Sequence, residues 1–291
     1  EKRTGVLTTT RPSIHGDVIH SRPLPINYGG TTGVVVYYGA NDGTFRAVHA
    51  ASGKENWAFI APEFFSRLNR LKTGLPLLNY PEADGPNASP TAMPKDYFFD
   101  GSTGVYQNAD SSQVWVFPTM RRGGRMIYGL DVSSPTTPVF KWKVGCPNLT
   151  DDSGCTAGMS GIGQTWSTPA VAFIKGFSNT LETPVPVIVV GGGYDSCEDA
   201  NAVEPACAST KGGFVYILNA NTGAVLRSFA TTRGVAADVS MVDIDNDGKP
   251  DYAYAADTGG KLYRVDFVGS ARAALASDAW TVRNVAGTGG G

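Results

Sequence analysis

Apolar and polar positions alternate over short distances in this chain. Strand-length runs of β-branched and aromatic residues are closed at both ends by Gly, Asn, Asp or Ser. Gly33 to Gly39 is one such run, and a turn at Asn41-Asp42-Gly43 leads to a second, Thr44 to His49. Turn residues of this kind between two β-forming runs predict a hairpin. Another turn at Ser52-Gly53 leads into Asn56-Trp57-Ala58-Phe59.

The unit recurs. Gly213 to Gly223 repeats the glycine, strand and closing turn of Gly43 to Gly53, Gly260 to Phe267 repeats its first half, and Arg125 to Val132 is a copy one residue longer. Aligned on His49, Asp131, Asn219 and Asp266, the copies lie about 82, 88 and 47 residues apart, roughly multiples of the ~40 to 50 residues of a propeller blade. The pattern predicts an all-β fold, a modified β-propeller of about seven blades, some degenerate, filling residues 1–291 as a single domain. Loop and short-helix insertions interrupt it. The main one is expected over 62–112, where Phe64, Phe65, Leu68 and Leu71 follow helical spacing and predict an amphipathic helix from Glu63 to Leu71. Arg67, Arg70 and Lys72 would form its solvated face, and Asn79 to Asp96 reads as a Pro-rich loop.

Composition supports this picture. With 36 Gly, 18 Pro and only 17% charged residues, tight turns outweigh surface helix. A net charge of -2 gives no general attraction to nucleic acid or an anionic membrane. The longest apolar runs, near Val34 to Tyr38 and Val187 to Val190, are too short for a transmembrane helix. The chain starts at Glu1 without a leader pattern and is expected to be part of a longer protein. Cys146 and Cys155 bracket one turn-rich loop (146–155) and Cys197 and Cys207 another (197–207). Several connectivities are possible, two local disulfides being the simplest, and disulfides predict the periplasm or the cell exterior. Zinc is disfavoured, because no Cys-x-x-Cys pair exists and His15, His20 and His49 are distant in sequence.

The strongest chemical signal is Val242-Asp243-Ile244-Asp245-Asn246-Asp247-Gly248-Lys249-Pro250-Asp251. Asp243, Asp245, Asp247 and Asp251 stand at the first, third, fifth and ninth positions of a loop whose sixth is Gly248, the ligand spacing of an EF-hand. Alternate side chains of a tight loop converge on one point, and Lys249 can offer its backbone carbonyl there. The expected ion is Ca2+, a hard cation that takes oxygen ligands. The carboxylates, offset nearby only by Lys249, would repel one another without it. Tyr254 occupies the twelfth position instead of Glu, and Ala253-Tyr254-Ala255 reads as strand, so a weak, micromolar to millimolar site is expected.

No phosphate-binding Gly-Lys-Ser/Thr, Gly-x-Ser-x-Gly or His-Glu-x-x-His motif is present, and no catalytic residues are assigned. Gly16 to Ser21, Tyr38 to Gly43, Tyr97 to Gly101, Gly123 to Val132 and Val242 to Phe267 together resemble the C-terminal propeller of the PilY/PilC family of type IV pilus biogenesis and tip-adhesin proteins. The order of these stretches matches from about Arg11 to Phe267, although Ala256 stands where the family usually has Gly. The resemblance implies a non-enzymatic module. Its calcium loop (Asp243, Asp245, Asp247, the Lys249 carbonyl, Asp251) would influence pilus extension and retraction, and the domain would support adhesion to a surface or host-cell receptor. Contacts with minor pilins would fall to the rest of the protein. The location implied is extracellular, at the pilus tip, cell surface or outer membrane. Two alternatives remain open: a purely adhesive propeller with a structural calcium, and a quinoprotein-like dehydrogenase suggested by the Gly-x-x-Tyr-x-Leu-Asn/Asp repeats.

Overall fold

The four sequence copies are the third strands of four blades. A computed structural model describes residues 15–78, 93–178, 184–199 and 211–287. The first blade holds β1 (Leu24–Asn27), β2 (Val34–Gly39), β3 (Thr44–His49) and β4 (Glu55–Ile60), and the second β5 (Thr103–Gln107), β6 (Val114–Pro118), β7 (Arg125–Asp131) and β8 (Val139–Cys146). The third holds β9 (Ala170–Ala172), β10 (Val187–Gly191), β11 (Phe214–Asn219) and β12 (Val225–Ala230). The fourth holds β13 (Ser240–Val242), β14 (Tyr252–Ala256), β15 (Lys261–Asp266) and β16 (Thr281–Gly287). Each is an antiparallel meander in chain order, and His49, Asp131, Asn219 and Asp266 each close a third strand.

The fold class is therefore as expected and the blade number is not. Among the described residues there are four four-stranded sheets, where the spacing suggests about seven. Intervals of about 82 and 88 residues imitate two blades apiece; each is one blade plus inserted stretches, residues 61–102 ahead of β5, and 147–169 ahead of β9 together with 192–213 between β10 and β11.

Sheets stack face to face through three apolar clusters. Tyr37 and Phe45 of the first blade meet Val116 and Tyr128 of the second. Phe117 and Trp142 of the second meet Ile188 and Tyr216 of the third, and Val189 and Ile217 of the third meet Ala253 and Val265 of the fourth. The two middle blades are covered on both faces, so β6 and β10 are buried along their whole length, while β2 and β14 alternate between buried and half-buried, β14 ending on exposed Ala256. Among the described residues no buried cluster joins the fourth blade to the first, and the ring is open. The segments that enter the first strands, with His20, Ser102, Trp166 and Asp238, converge on a cleft of about 450 Å³, which marks the axis.

The first insertion ends at residue 102, where β5 begins, rather than at 112. A 3-10 turn (Pro62–Phe64) runs into α1 (Phe65–Thr73), closed by Gly74 at φ 69°. Phe64 is buried and Leu68 and Leu71 pack on the first cluster, but Phe65 is exposed. Two of the expected solvated cations are structural. Arg67 lies over the Phe64 and Phe98 rings and donates to the carbonyls of Tyr97 (2.9 Å) and Gly123 (2.8 Å). Arg70 donates to the carbonyls of Pro76, Leu77, Met93 and Pro94. Irregular backbone needs such donors, since most of its carbonyls lack the regular partners of a strand ladder. The Asn79 to Asp96 loop falls largely outside the described residues.

Cys146 and Cys155 are bonded to each other. Cys197 is also disulfide-bonded; Cys207 lies outside the described residues. The first loop has a second anchor not evident from sequence. Buried Arg125 donates to the carbonyls of Asp151, Ser160 and Ile162 and to the Asp152 carboxylate. No helix among the described residues is long and apolar enough to cross a membrane.

Candidate metal centre

The aspartate loop joins β13 to β14 in the fourth blade, and a strand follows it directly, as expected. Backbone pairing fixes both ends: the Asp251 N–H donates to the Val242 carbonyl (2.8 Å) and the Phe267 N–H to the Asp251 carbonyl (3.0 Å). Between them the chain turns through Asn246 (φ 56°) and Gly248 (φ 83°). This left-handed region favours glycine and tolerates asparagine. Side chains then hold the curl, Asp243 accepting from the N–H of Gly248 (2.7 Å) and Asp247 from that of Lys249 (2.9 Å).

Asp243, Asp245 and Asp247 each present a carboxylate oxygen, all within 4.8 Å of one another. Asp251 is not one of that trio. It is fully buried, its Oδ2 accepts from the Ile244 N–H (2.9 Å), and its Oδ1 has no hydrogen-bond partner. A buried carboxylate oxygen without a hydrogen-bond partner is costly, and a cation beside it would satisfy it. The donor set is all oxygen and carboxylate-rich, which suits a hard divalent ion.

A cationic side chain already faces this space. The Lys175 ammonium, from the β9–β10 connection, stands 3.0 Å from Asp245 Oδ2, 2.9 Å from Asp247 Oδ2 and 3.8 Å from Asp251 Oδ1. Arg272 adds a weaker contact at 3.8 Å to Asp245. Hydrogen bonds to Asp247 and Asp245 hold the Lys175 ammonium well above the ordinary lysine range, and the bond to Lys175 holds the Asp245 carboxyl below its usual value. Lys249 is thus not the sole offset to the acidic loop. Neither Lys175 nor Arg272 carries a local signal, since both arrive from distant stretches of chain. Of the expected ligands, the structure brings Asp243, Asp245 and Asp247 together and leaves Asp251 outside that trio, joined to it through the Lys175 ammonium. It places the disulfide loop Cys146–Cys155 elsewhere, after β8.

Antiparallel four-stranded blades stacked about an axis, with an aspartate loop between the first two strands of the last, define a β-propeller module bearing a candidate cation site. Residues 30–284 match the family model described as the PilY1 beta-propeller domain, and the chain belongs to that family. It is similar to the type IV pilus biogenesis factor PilY1 of Pseudomonas aeruginosa strain UCBPP-PA14, with 27% identity over 90% of this chain and 22% of that protein. A PilY1 homolog of Xylella fastidiosa is 24% identical over 88% of this chain and 20% of its own length. The chain thus spans about a fifth of these curated relatives. The crystal structure of the Pseudomonas aeruginosa PilY1 C-terminal domain shares the fold, with a TM-score of 0.56 and 21% identity over 87% of this chain and 44% of that one.

Proposed function

We propose that this chain is the calcium-binding, non-enzymatic propeller of a type IV pilus biogenesis factor at the pilus tip or bacterial surface. In this reading calcium is held by Asp243, Asp245, Asp247, the Lys249 carbonyl and Asp251. Its occupancy biases pilus extension against retraction, and the blades support adhesion to a surface or host receptor. Minor pilins would be engaged through other parts of the whole protein. Family membership supports the pilus assignment. The observation that carries the calcium reading is the Oδ1 of fully buried Asp251, which has no hydrogen-bond partner, together with the three converging carboxylates of Asp243, Asp245 and Asp247.

Melting the protein in millimolar calcium and in EGTA tests the site. An ion that binds only the folded state stabilises it by about 2.7 kcal/mol at a hundredfold excess over Kd. A rise in Tm of several degrees is expected, absent in Asp243→Asn; equal Tm in both solutions overturns the reading. The loop's own hydrogen bonds favour a second reading, in which calcium only staples an adhesive propeller, because Gly248, Lys249 and Ile244 hold its shape through Asp243, Asp247 and Asp251. Twitching of cells carrying a folded Asp243→Asn protein separates the two, since a staple predicts unchanged motility.

A further inference from the structure

Lys175 makes the acidic loop a cation site with a resident occupant. We propose that its ammonium is a built-in competitor for the metal, filling the cation position in the calcium-free protein and leaving it when calcium enters. Lys175 thereby sets the affinity of the site. The inference rests on the calcium reading above.

Geometry carries it. The ammonium touches Asp245 and Asp247 at 3.0 and 2.9 Å and stands 3.8 Å from the Asp251 Oδ1, which has no hydrogen-bond partner. These are three of the four carboxylates assigned to the ion. Calcium coordinates oxygen at about 2.3–2.6 Å, so an ion on those atoms, approached from the same side, would claim the space the ammonium fills, and the two like charges would repel strongly. Both cannot share the oxygens.

The backbone beneath Lys175 is fixed, so the exchange is a swing of one side chain. Ser178 donates its N–H to the Ile174 carbonyl (2.9 Å) and its hydroxyl accepts from the Ile174 N–H (3.1 Å). Phe177 meets Trp280 edge-on. A Cβ at Gly176 would come within 2.0 Å of the Leu275 carbonyl oxygen, so the turn presses against the fourth blade. Calcium-free, Lys175 ties the third blade to the fourth; calcium-bound, that tie is cut and the metal replaces it within the fourth blade alone. Binding is then an exchange of cations, and the metal-free loop keeps its shape instead of bursting open.

Lys175→Met keeps the aliphatic stem and removes the charge. Titration calorimetry with calcium chloride should show binding on the order of tenfold tighter than wild type, within the usual range of coupling energies, while Tm in EGTA falls. A merely structural lysine would lower both. Wild type that binds calcium while Lys175→Met binds equally or more weakly overturns the proposal and leaves the calcium reading standing; no uptake by either protein overturns both. A measurement on unaltered protein guards against a variant that fails to fold. Amine acetylation followed by mass spectrometry should label Lys175 faster in calcium than in EGTA, and an equal or slower rate overturns the proposal.

Discussion

Asp42 and Glu63 show how single carboxylates bind the first blade together and tie it to the second. Burial pushes the acidity of each toward the neutral form, but for Asp42 the hydroxyl of Thr44, the guanidinium of Arg46 and the Gly16 N–H outweigh it. For Glu63 the Lys143 ammonium and the Tyr128 hydroxyl do the same. Both folded pKa values lie below their ordinary values, so the stability they contribute is present above the unfolded pKa and lost as pH falls through the folded one. Melting temperature should hold level down to roughly pH 5 and decline below about pH 4, where free carboxyls begin to titrate. Asp42→Asn should start lower and decline less over that interval. At this scale the sequence shows what is local. Asp243, Asp245, Asp247 and Asp251 announce a curl because turn geometry is short-ranged. Lys175 and Asp245 lie 70 positions apart, and only tertiary packing joins them.

Strand identity was legible because each β-forming run is bounded by turn chemistry, and β3, β7, β11 and β15 fall where the repeat puts them. Blade number was not, because insertion length is indistinguishable from a degenerate blade when only spacing is read. The helix was legible in position but not in its charged face, since nothing in Arg67 or Arg70 tells that unpaired carbonyls wait nearby. Interblade fit depends on small residues that spacing does not explain. Gly129 of β7 lies opposite Trp142 of β8, and a Cβ there would sit 2.4 Å from the indole. That indole stacks on Phe117 and donates to the Ala220 carbonyl of the third blade. Gly129→Ala should therefore cost about 1–3 kcal/mol through overpacking, measured by urea unfolding, with the middle interface displaced.

For the molecule as a whole, the open ring sets an order of robustness. Among the described residues, the middle blades are clamped from both sides, while the first and fourth each rest on one neighbour. Local opening follows burial and contact density. Amide hydrogen exchange should accordingly be slowest in β6, β7, β10 and β11 and fastest in β1 and β16; uniform protection across all four blades would contradict this account. The aspartate loop belongs to one of the loosely held blades, so an ion taken up there acts where the molecule is softest. Uptake at that border would appear as deuterium retained through β13 to β15, turning a frayed margin into a firm one without altering the interior.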